Sequence, residues 1–175
     1  EKYMKKKLKV LGISVLSLIL VLIIGVGMIF KGEIRTLISF KQLNEHPFYE
    51  MTYHADYNLD EFLINGAATD DELVSFVTKQ ILKGVSFDVN PDGACSTFIA
   101  TNLEDENLFG RNFDYVHSIG LIVRTQPKNG YKSISLVNLN HLGLSLENMP
   151  TKNLINRIVT LAAPYAPLDG MNEKG

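Results

Sequence analysis

Residues 119–139 read IGLIVRTQPKNGYKSISLVNL, and the fold class follows from this stretch. Ile119–Thr125 is a short apolar run, and Tyr131–Leu139 alternates apolar with polar side chains, so each segment predicts a β-strand. Pro127 and Asn129-Gly130 between them are turn residues. The stretch therefore predicts two strands joined by a turn.

Further elements are predicted on both sides of this pair. Upstream, Cys95–Thr101 and Asn107–Phe113 are short apolar segments that also predict strands. Downstream, apolar residues at helical spacing predict a helix from near Thr151 or Asn153, which Pro164 and Pro167 should end. Antiparallel strands followed by a helix are typical of a layered α+β fold.

The segment before the strands is predicted to be partly helical. Thr69 and Glu72 match a capping box at the start of an apolar helical series, so a helix is expected over residues 70–83 and should stop at Gly84. Glu33–Gln42 has a weaker helical pattern. Three tyrosines recur every fourth residue and predict a packing stripe: Tyr49, Tyr53 and Tyr57. The series Asn90-Pro91-Asp92-Gly93 predicts a turn.

The N-terminal region predicts a membrane anchor. Residues 10–30 carry no charge. A helix of this length spans a hydrocarbon core of about 30 Å. Five lysines precede this run within residues 1–9, which the positive-inside rule places in the cytoplasm. The run is longer than the core of a cleavable signal peptide and lacks a small-residue cleavage site. We therefore expect an uncleaved signal anchor with the rest of the chain outside, rather than a buried core helix.

Charge and composition exclude several classes. The 175 residues are 46% hydrophobic and 21% charged. This composition excludes a disordered or collagenous chain. The body after residue 9 is mildly acidic, so a nucleic acid is not an expected partner. The single cysteine, Cys95, excludes an intrachain disulfide and a multi-cysteine zinc site, and no histidine pair has metal-ligand spacing.

Cys95 is either a buried apolar side chain or a reactive thiol. Small residues and a turn precede it, so the Ala94–Cys95 bond should be accessible to cleavage. Cleavage would leave Cys95 with a free α-amine, whose pKa of about 7.7–8.0 suits a general base. The thiol and its own amine would then form a nucleophile–base pair that needs no histidine.

Three motifs carry a resemblance to a known family: Cys95-Ser96-Thr97, Gly110-Arg111-Asn112-Phe113-Asp114, and Asp169-Gly170-Met171-Asn172-Glu173-Lys174-Gly175. Together they resemble the choloylglycine hydrolases, which include bile salt hydrolases and penicillin V acylases, with acid ceramidase and N-acylethanolamine acid amidase as relatives. The intervals from Cys95 to Arg111 and from Cys95 to Asp114 also resemble the family's. The resemblance covers residues 93–175 and implies an N-terminal-nucleophile (Ntn) hydrolase with an αββα sandwich. The segment at 45–84 resembles the pro-region of Gram-positive bacterial members described only as linear amide C–N hydrolases.

The resemblance implies roles for four residues. Cys95 matches the nucleophile, and Arg111 matches the arginine beside its thiol. Asp114 matches the carboxylate that hydrogen-bonds the α-amine, and Asn172 matches the asparagine whose backbone N–H contributes to the oxyanion hole. Ala94 and Cys95 would flank the processing site. Without the motifs, Arg111 with Asp114 would be a surface ion pair and Asn172 a turn residue.

The expected organisation is a basic cytoplasmic tail at 1–9, a transmembrane anchor at 10–30, a pro-segment at 31–94 and the start of a catalytic domain at 95–175. We expect no cofactor or metal, and a small N-acyl amide substrate of bile-salt, penicillin V or acyl-lipid type. A homo-oligomer is compatible with this organisation. We also expect the chain to be the first part of a longer protein, because the family's second asparagine and second arginine have no match here.

Two alternatives remain. The chain is a non-catalytic extracellular module of the same fold, or a cysteine protease in which His141 or His117 is the base. The sequence around Cys95 lacks the local context of papain-like cysteine proteases.

Overall fold

The computed structural model describes residues 2–89, 94–115 and 118–175. Seven strands and five α-helices are present in the described chain, in this order: α1 (Lys2–Ile29), α2 (Lys31–Ser39), β1 (Lys41–Gln42), β2 (Phe48–Thr52), α3 (Leu59–Asn65), α4 (Asp70–Phe76), β3 (Ala94–Thr101), β4 (Asn107–Asp114), β5 (Gly120–Thr125), β6 (Ser133–Asn138), α5 (Leu154–Val159) and β7 (Asp169–Asn172). A π-helical segment (Val77–Ile81) extends α4, and 3₁₀ helices span Leu139–Leu142 and Thr160–Tyr165. The turn predicted at 90–93 lies outside the described residues.

Five strands form one mixed sheet in the order β1-β2-β5-β6-β7. The strands β2 and β5 are parallel, and every other neighbouring pair is antiparallel. The register places four residues directly across from one another, one on each of β2, β5, β6 and β7: Glu50, Ile122, Leu136 and Asp169. Directly paired residues point to the same side of a sheet, so this row marks one face.

The opposite face of the sheet packs against the helices and forms the core. Alternate residues of β2 and β5 are fully buried there, because successive strand side chains point to opposite faces. The core combines sheet and helical residues: Tyr49, Met51, Leu121, Val123, Val137, Val77, Ile81, Leu161, Ala162 and Ala163. The helices thus cover one face of the sheet.

Two hydrogen-bonding side chains fix the segment that follows β2. Thr36 of α2 is fully buried, and its Oγ1 accepts from the backbone N–H groups of His54 (2.8 Å) and Ala55 (3.2 Å). The Tyr53 hydroxyl donates to the Leu161 carbonyl at 2.8 Å. Pro164 lies three residues after Leu161 and lacks the N–H that a 3₁₀ helix would supply to this carbonyl, so Tyr53 replaces the missing donor.

The strands β3 and β4 form a separate two-stranded hairpin in register from Ala94↔Asp114 to Thr101↔Asn107. Asn102 closes its turn: the Asn102 Oδ1 accepts from the N–H groups of Glu104 (3.0 Å) and Glu106 (2.9 Å). Gly110 lies beneath the ring of its cross-strand partner Phe98, where an added Cβ would meet that ring at 2.2 Å. This close approach explains the glycine before Arg111.

The hairpin lies over the face of the sheet that the helices leave open. Phe109 of β4 and three side chains of the sheet line one groove of about 350 Å³: Ile122, Ile134 and Leu136. The described layers are therefore helices, five-stranded sheet and hairpin. This arrangement confirms the mixed α+β prediction, whereas the αββα sandwich stays a prediction.

Most predicted elements correspond to the observed ones, but the helix expected over 70–83 is α-helical only to Phe76, and the helical pattern at 33–42 ends at Ser39, before strand β1. The four strands predicted between residues 95 and 139 are present, and Thr69 caps α4 by accepting from the Glu72 N–H at 3.2 Å. The tyrosine stripe is buried as predicted, but Tyr49 belongs to a strand. The segment at 169–172, expected to be a turn, is strand β7, and Pro164 lies inside a 3₁₀ helix instead of ending the helical segment.

The helix α1 is separate from this packing. Its segment Tyr3–Ile29 is apolar and long enough to cross a membrane by length and composition, and none of its most apolar window is buried against the rest of the chain. The structure thus has one N-terminal helix with the dimensions of a membrane span.

Candidate functional site

Cys95 is the second residue of β3, and its thiol is exposed and forms no disulfide. It pairs with Phe113, and Thr97 pairs with Arg111. Because side chains alternate along a strand, Cys95, Thr97 and the side chains opposite them share one face of the hairpin. The local sequence therefore brings Arg111 diagonally next to the thiol.

Arg111 joins the thiol to a carboxylate of the other sheet. Its Nη2 donates to the Cys95 Sγ at 2.8 Å, and its Nη1 donates to Asp169 Oδ2 at 2.9 Å. The Arg111 side chain is only 12% exposed. Burial opposes its charge, but the hydrogen bonds to Cys95 and Asp169 outweigh that effect and raise the pKa of Arg111 above its ordinary value. A permanently charged donor is thus aimed at the thiol.

Asp169 is the site residue to which the sequence assigned no role. It begins β7, and its carboxylate is 20% exposed. The four residues of β7 read Asp-Gly-Met-Asn, which locally predicts a turn and not a strand. The sequence indicated Asp169 only through its position as the first residue of the third motif. That motif gave no sign of a contact with Arg111, which lies 58 residues earlier.

Asp114 lies at the expected cleavage point but on the other face of the hairpin. It pairs with Ala94, the residue before Cys95. Its Oδ1 accepts from the Asn112 Nδ2 at 2.6 Å. Asp114 is exposed and shares its face with Asn112, not with the Cys95 side chain. The structure therefore places Asp114 across from Ala94 in the register, with its side chain on the opposite face of the hairpin from the Cys95 thiol.

Asn172 lies at the end of β7, three residues after Asp169. Its side chain is on the opposite face of β7 from Asp169, and its Oδ1 accepts from the Lys174 N–H at 2.8 Å. The next residue, Glu173, donates its N–H to the carbonyl of Lys132, just before β6. Backbone donors alternate in direction along a strand, so the Asn172 N–H points away from β6. That direction leads to the open edge of the sheet.

The structure describes His141, one of the two histidines considered as alternative bases. The ring of His141 packs edge-on against Phe113, at 5.8 Å between centroids, and against Tyr115 at 6.3 Å. It also lines a cavity of about 300 Å³ between α4 and the 3₁₀ helix at 160–165. His117 lies outside the described residues. Within residues 2–89, 94–115 and 118–175, no group of three His, Cys, Asp or Glu side chains has the geometry of a metal site.

An apolar groove extends to Asp169, the ion-pair partner of Arg111. The groove between hairpin and sheet is lined mainly by apolar side chains, and Asp169 lies at its wall. Three of its lining side chains, Phe109, Ile134 and Met171, remain about half exposed. The site thus combines an exposed thiol, a guanidinium, a carboxylate and an apolar groove that reaches the carboxylate.

Comparison with known proteins gives no match for this chain among protein-family models, curated proteins or solved structures. The case for a function therefore depends on the geometry around Cys95 and on the resemblance of the three motifs.

Proposed function

We propose that the chain belongs to a membrane-anchored Ntn-type amidase that hydrolyses linear N-acyl amide bonds with Cys95 as the nucleophile. The observation that carries this proposal is the 2.8 Å contact between the Arg111 Nη2 and the Cys95 Sγ. A guanidinium at hydrogen-bond distance places a positive charge beside the sulfur that would attack a carbonyl carbon. A structural cysteine needs no such partner and is normally buried, whereas Cys95 is exposed.

The reaction begins with exposure of the amine. The Cys95 thiol attacks the Ala94 carbonyl carbon, the Ala94–Cys95 C–N bond breaks, and the thiol proton passes to the released α-amine while the acyl group of Ala94 stays on sulfur as a thioester. Water then hydrolyses that thioester, which frees the thiol and leaves a carboxylate on Ala94. In turnover, the α-amine takes the thiol proton and the thiolate attacks the carbonyl of the substrate. The C–N bond breaks, the leaving amine takes the proton from the α-ammonium, and water hydrolyses the acyl-enzyme to a carboxylic acid.

Asp114 and Asn172 support this chemistry from the strands that hold them. Asp114 is opposite Ala94 in the hairpin register, so it lies next to the position of the future α-ammonium and would orient it. The Asn172 N–H is directed to the open edge of β7 and would donate to the oxyanion. Neither role requires a metal or an organic cofactor.

The substrate class follows from the location and the groove. The lysines at the N-terminal end of α1 favour, under the positive-inside rule, a location of the catalytic part outside the cell. The apolar groove that reaches Asp169 suits an acyl group, and its ion-pair partner Arg111 suits a polar or anionic head. Amphiphilic N-acyl amides, such as bile-salt, penicillin V or acyl-lipid types, fit both features.

The test uses the purified full-length protein in mild detergent. Mass spectrometry is expected to find a chain that starts at Cys95, together with hydrolysis of at least one member of an N-acyl amide panel. Cys95→Ser should lose that hydrolysis almost completely, because a hydroxyl is a far weaker nucleophile than a thiol. Ser96→Ala is the matched control, since Ser96 is the neighbouring residue on the other face of the hairpin.

The outcomes separate the candidates. Full hydrolysis by Cys95→Ser refutes the nucleophile assignment, and an intact Ala94–Cys95 bond in active protein refutes the processing step. Absence of hydrolysis across the panel favours the non-catalytic module of the same fold. The protease alternative has one supporting observation, the packing of His141 against Phe113, and loss of peptide hydrolysis in His141→Ala would favour it.

A further inference from the structure

We infer that Asp169 is a positioning residue that holds the Arg111 guanidinium against the Cys95 thiol. This inference rests on the proposed function, in which Cys95 is the nucleophile, and adds a second carboxylate to the site. Asp114 serves the backbone amine in that proposal, whereas Asp169 acts on the thiol through Arg111. The two acids belong to different sheets, β4 of the hairpin and β7 of the five-stranded sheet.

The contacts of Arg111 explain why it depends on Asp169. Its two terminal nitrogens have one hydrogen-bond partner each, Cys95 and Asp169, within the described part of the chain. Its Nε is buried and has no hydrogen-bond partner among the described residues. Without Asp169, Nη1 would be a second unpaired donor on a side chain that is only 12% exposed. A buried charge with unpaired donors is costly, so the guanidinium would turn toward water and leave the thiol.

The arginine fork makes this arrangement possible. A guanidinium is planar and directs its donors along fixed axes, so an anchor on one nitrogen sets the direction of the other. Anchoring Nη1 on Asp169 therefore aims Nη2 at the Cys95 Sγ. The ion pair also joins β4 to β7, which fixes the hairpin relative to the sheet at the level of the nucleophile.

Glu50 provides an internal comparison on the same face of the same sheet. It lies in the row Glu50–Ile122–Leu136–Asp169, and it accepts from the Arg124 Nη1 at 2.9 Å, the same distance as in the Asp169 pair. Lys41 and Arg124 lower the pKa of the Glu50 carboxyl. Arg124 is 48% exposed and contacts no cysteine, so water can replace its partner. Both ion pairs thus join an arginine to a carboxylate, but Arg111 also donates to the Cys95 thiol and Arg124 does not.

The experiment measures the local electrostatic potential at Cys95 in the full-length protein. Cys95 is the sole cysteine of the chain, so thiol reagents report on it alone. Alkylation rates are measured with iodoacetate and iodoacetamide at one pH. Both reagents react with the thiolate, so the ratio of their rates does not depend on the fraction ionised. A guanidinium next to sulfur favours the anionic reagent by about fivefold, the effect of a unit charge at roughly 4 Å in water. The labelled peptide begins at Cys95 only in processed chains, so mass spectrometry gives the ratio for each form separately.

Three variants give the expected pattern. Asp169→Ala should lower the ratio by about fivefold, to the value of the urea-unfolded protein. Asp169→Asn should keep at least the wild-type ratio, because its amide oxygen still accepts from Arg111 while the carboxylate charge is gone. Glu50→Ala, the matched control, should leave the ratio unchanged. Other titratable groups near Cys95 are Tyr115 and His141, which pack with Phe113, and Asp114 on the opposite face of the hairpin; none of the three variants alters them.

The inference is overturned if folded Asp169→Ala keeps the wild-type ratio, or if Glu50→Ala lowers it equally. Circular dichroism reports whether each variant is folded. If Asp169→Ala does not fold, Asp169→Ser takes its place, since its hydroxyl is too short to reach Arg111, and an unchanged ratio in that variant is equally decisive. The assay needs no substrate, so a lack of amide hydrolysis would refute the proposed function and leave the result on Asp169 standing.

Discussion

Cys95 and Arg111 come together through the geometry of one hairpin. Their separation of 16 residues places them on adjacent strands, two register positions apart on one face, because the turn at Asn102 fixes the register. Asp114 takes its place opposite Ala94 for the same reason. The two strands were predicted from local sequence, whereas the roles of these three residues were expected from the resemblance of the motifs. The Asp169 contact was not predicted, because its partner is 58 residues distant and its local sequence resembles a turn.

At the residue scale, we predict that Asp114→Asn slows cleavage of the Ala94–Cys95 bond and the later amide hydrolysis. The expected decrease is about 10- to 100-fold, the worth of one charge-assisted hydrogen bond to the amine. Cleavage is followed by intact mass over time, and hydrolysis by initial rates.

Asp105→Asn is the control for this change. Asp105 lies in the turn of the same hairpin with a φ of 60°. Asparagine tolerates this left-handed conformation, so both rates should be unchanged. Equal rates in wild type and Asp114→Asn would remove Asp114 from the site.

Strand β2 and the 3₁₀ helix at 160–165 depend on each other. Tyr53 follows β2, and its hydroxyl bonds the Leu161 carbonyl that Pro164 leaves without a donor. The Tyr165 hydroxyl in turn donates to the Tyr57 carbonyl at 2.6 Å. The sequence predicted buried tyrosines, but the spacing of four residues did not reveal a strand, because β2 has only five residues and ends before Tyr53. Short strands carry too little alternation to be recognised locally.

At the element scale, we predict that Tyr53→Phe lowers the free energy of unfolding by about 1–3 kcal/mol, because the Leu161 carbonyl stays buried without a donor. Tyr131→Phe, at an exposed tyrosine, should change it little. Urea denaturation at pH 7 measures both.

Tyr53 also predicts that the free energy of unfolding decreases at alkaline pH. Burial raises the pKa of Tyr53 above its ordinary value. The folded state therefore retains a proton that the unfolded chain releases near about pH 10. The stability from the neutral phenol is complete below about pH 10 and decreases as the pH rises above it. The decrease between about pH 10 and 11.5 should be shallower in Tyr53→Phe than in wild type. Parallel profiles would contradict this assignment.

The whole molecule contains the expected pro-segment as part of its core. Strand β2 lies between β1 and β5 in the sheet, and its residues Tyr49 and Met51 are fully buried. Each large apolar side chain that is buried contributes about 1.5–3 kcal/mol. Cleavage at Ala94–Cys95 would break the chain between β2 and β5 but would leave this pairing in place.

At the scale of the whole molecule, we therefore predict that the processed part stays on the membrane without a covalent link to α1. After processing, the piece that starts at Cys95 should remain in the membrane fraction through a high-salt wash and coelute with residues 1–94 in mild detergent. Met51→Lys should release it, because a lysine would be buried unpaired in the core. Lys41→Ala on the exposed strand β1 should not. Release of the wild-type piece by salt alone would contradict the prediction.

Local sequence is sufficient for the elements whose signals are short-range: the long apolar run of α1, the hairpin strands with their spacing around Cys95, the alternating strands β5 and β6, and the cap of α4. How these elements meet follows only from the packing of the whole chain. That packing inserts β2 in parallel beside β5 and brings the Asp169 of β7 against Arg111. Residue patterns set which face of a strand is buried, whereas the neighbouring strand and the distant ion-pair partner are selected by long-range contacts that no local pattern encodes.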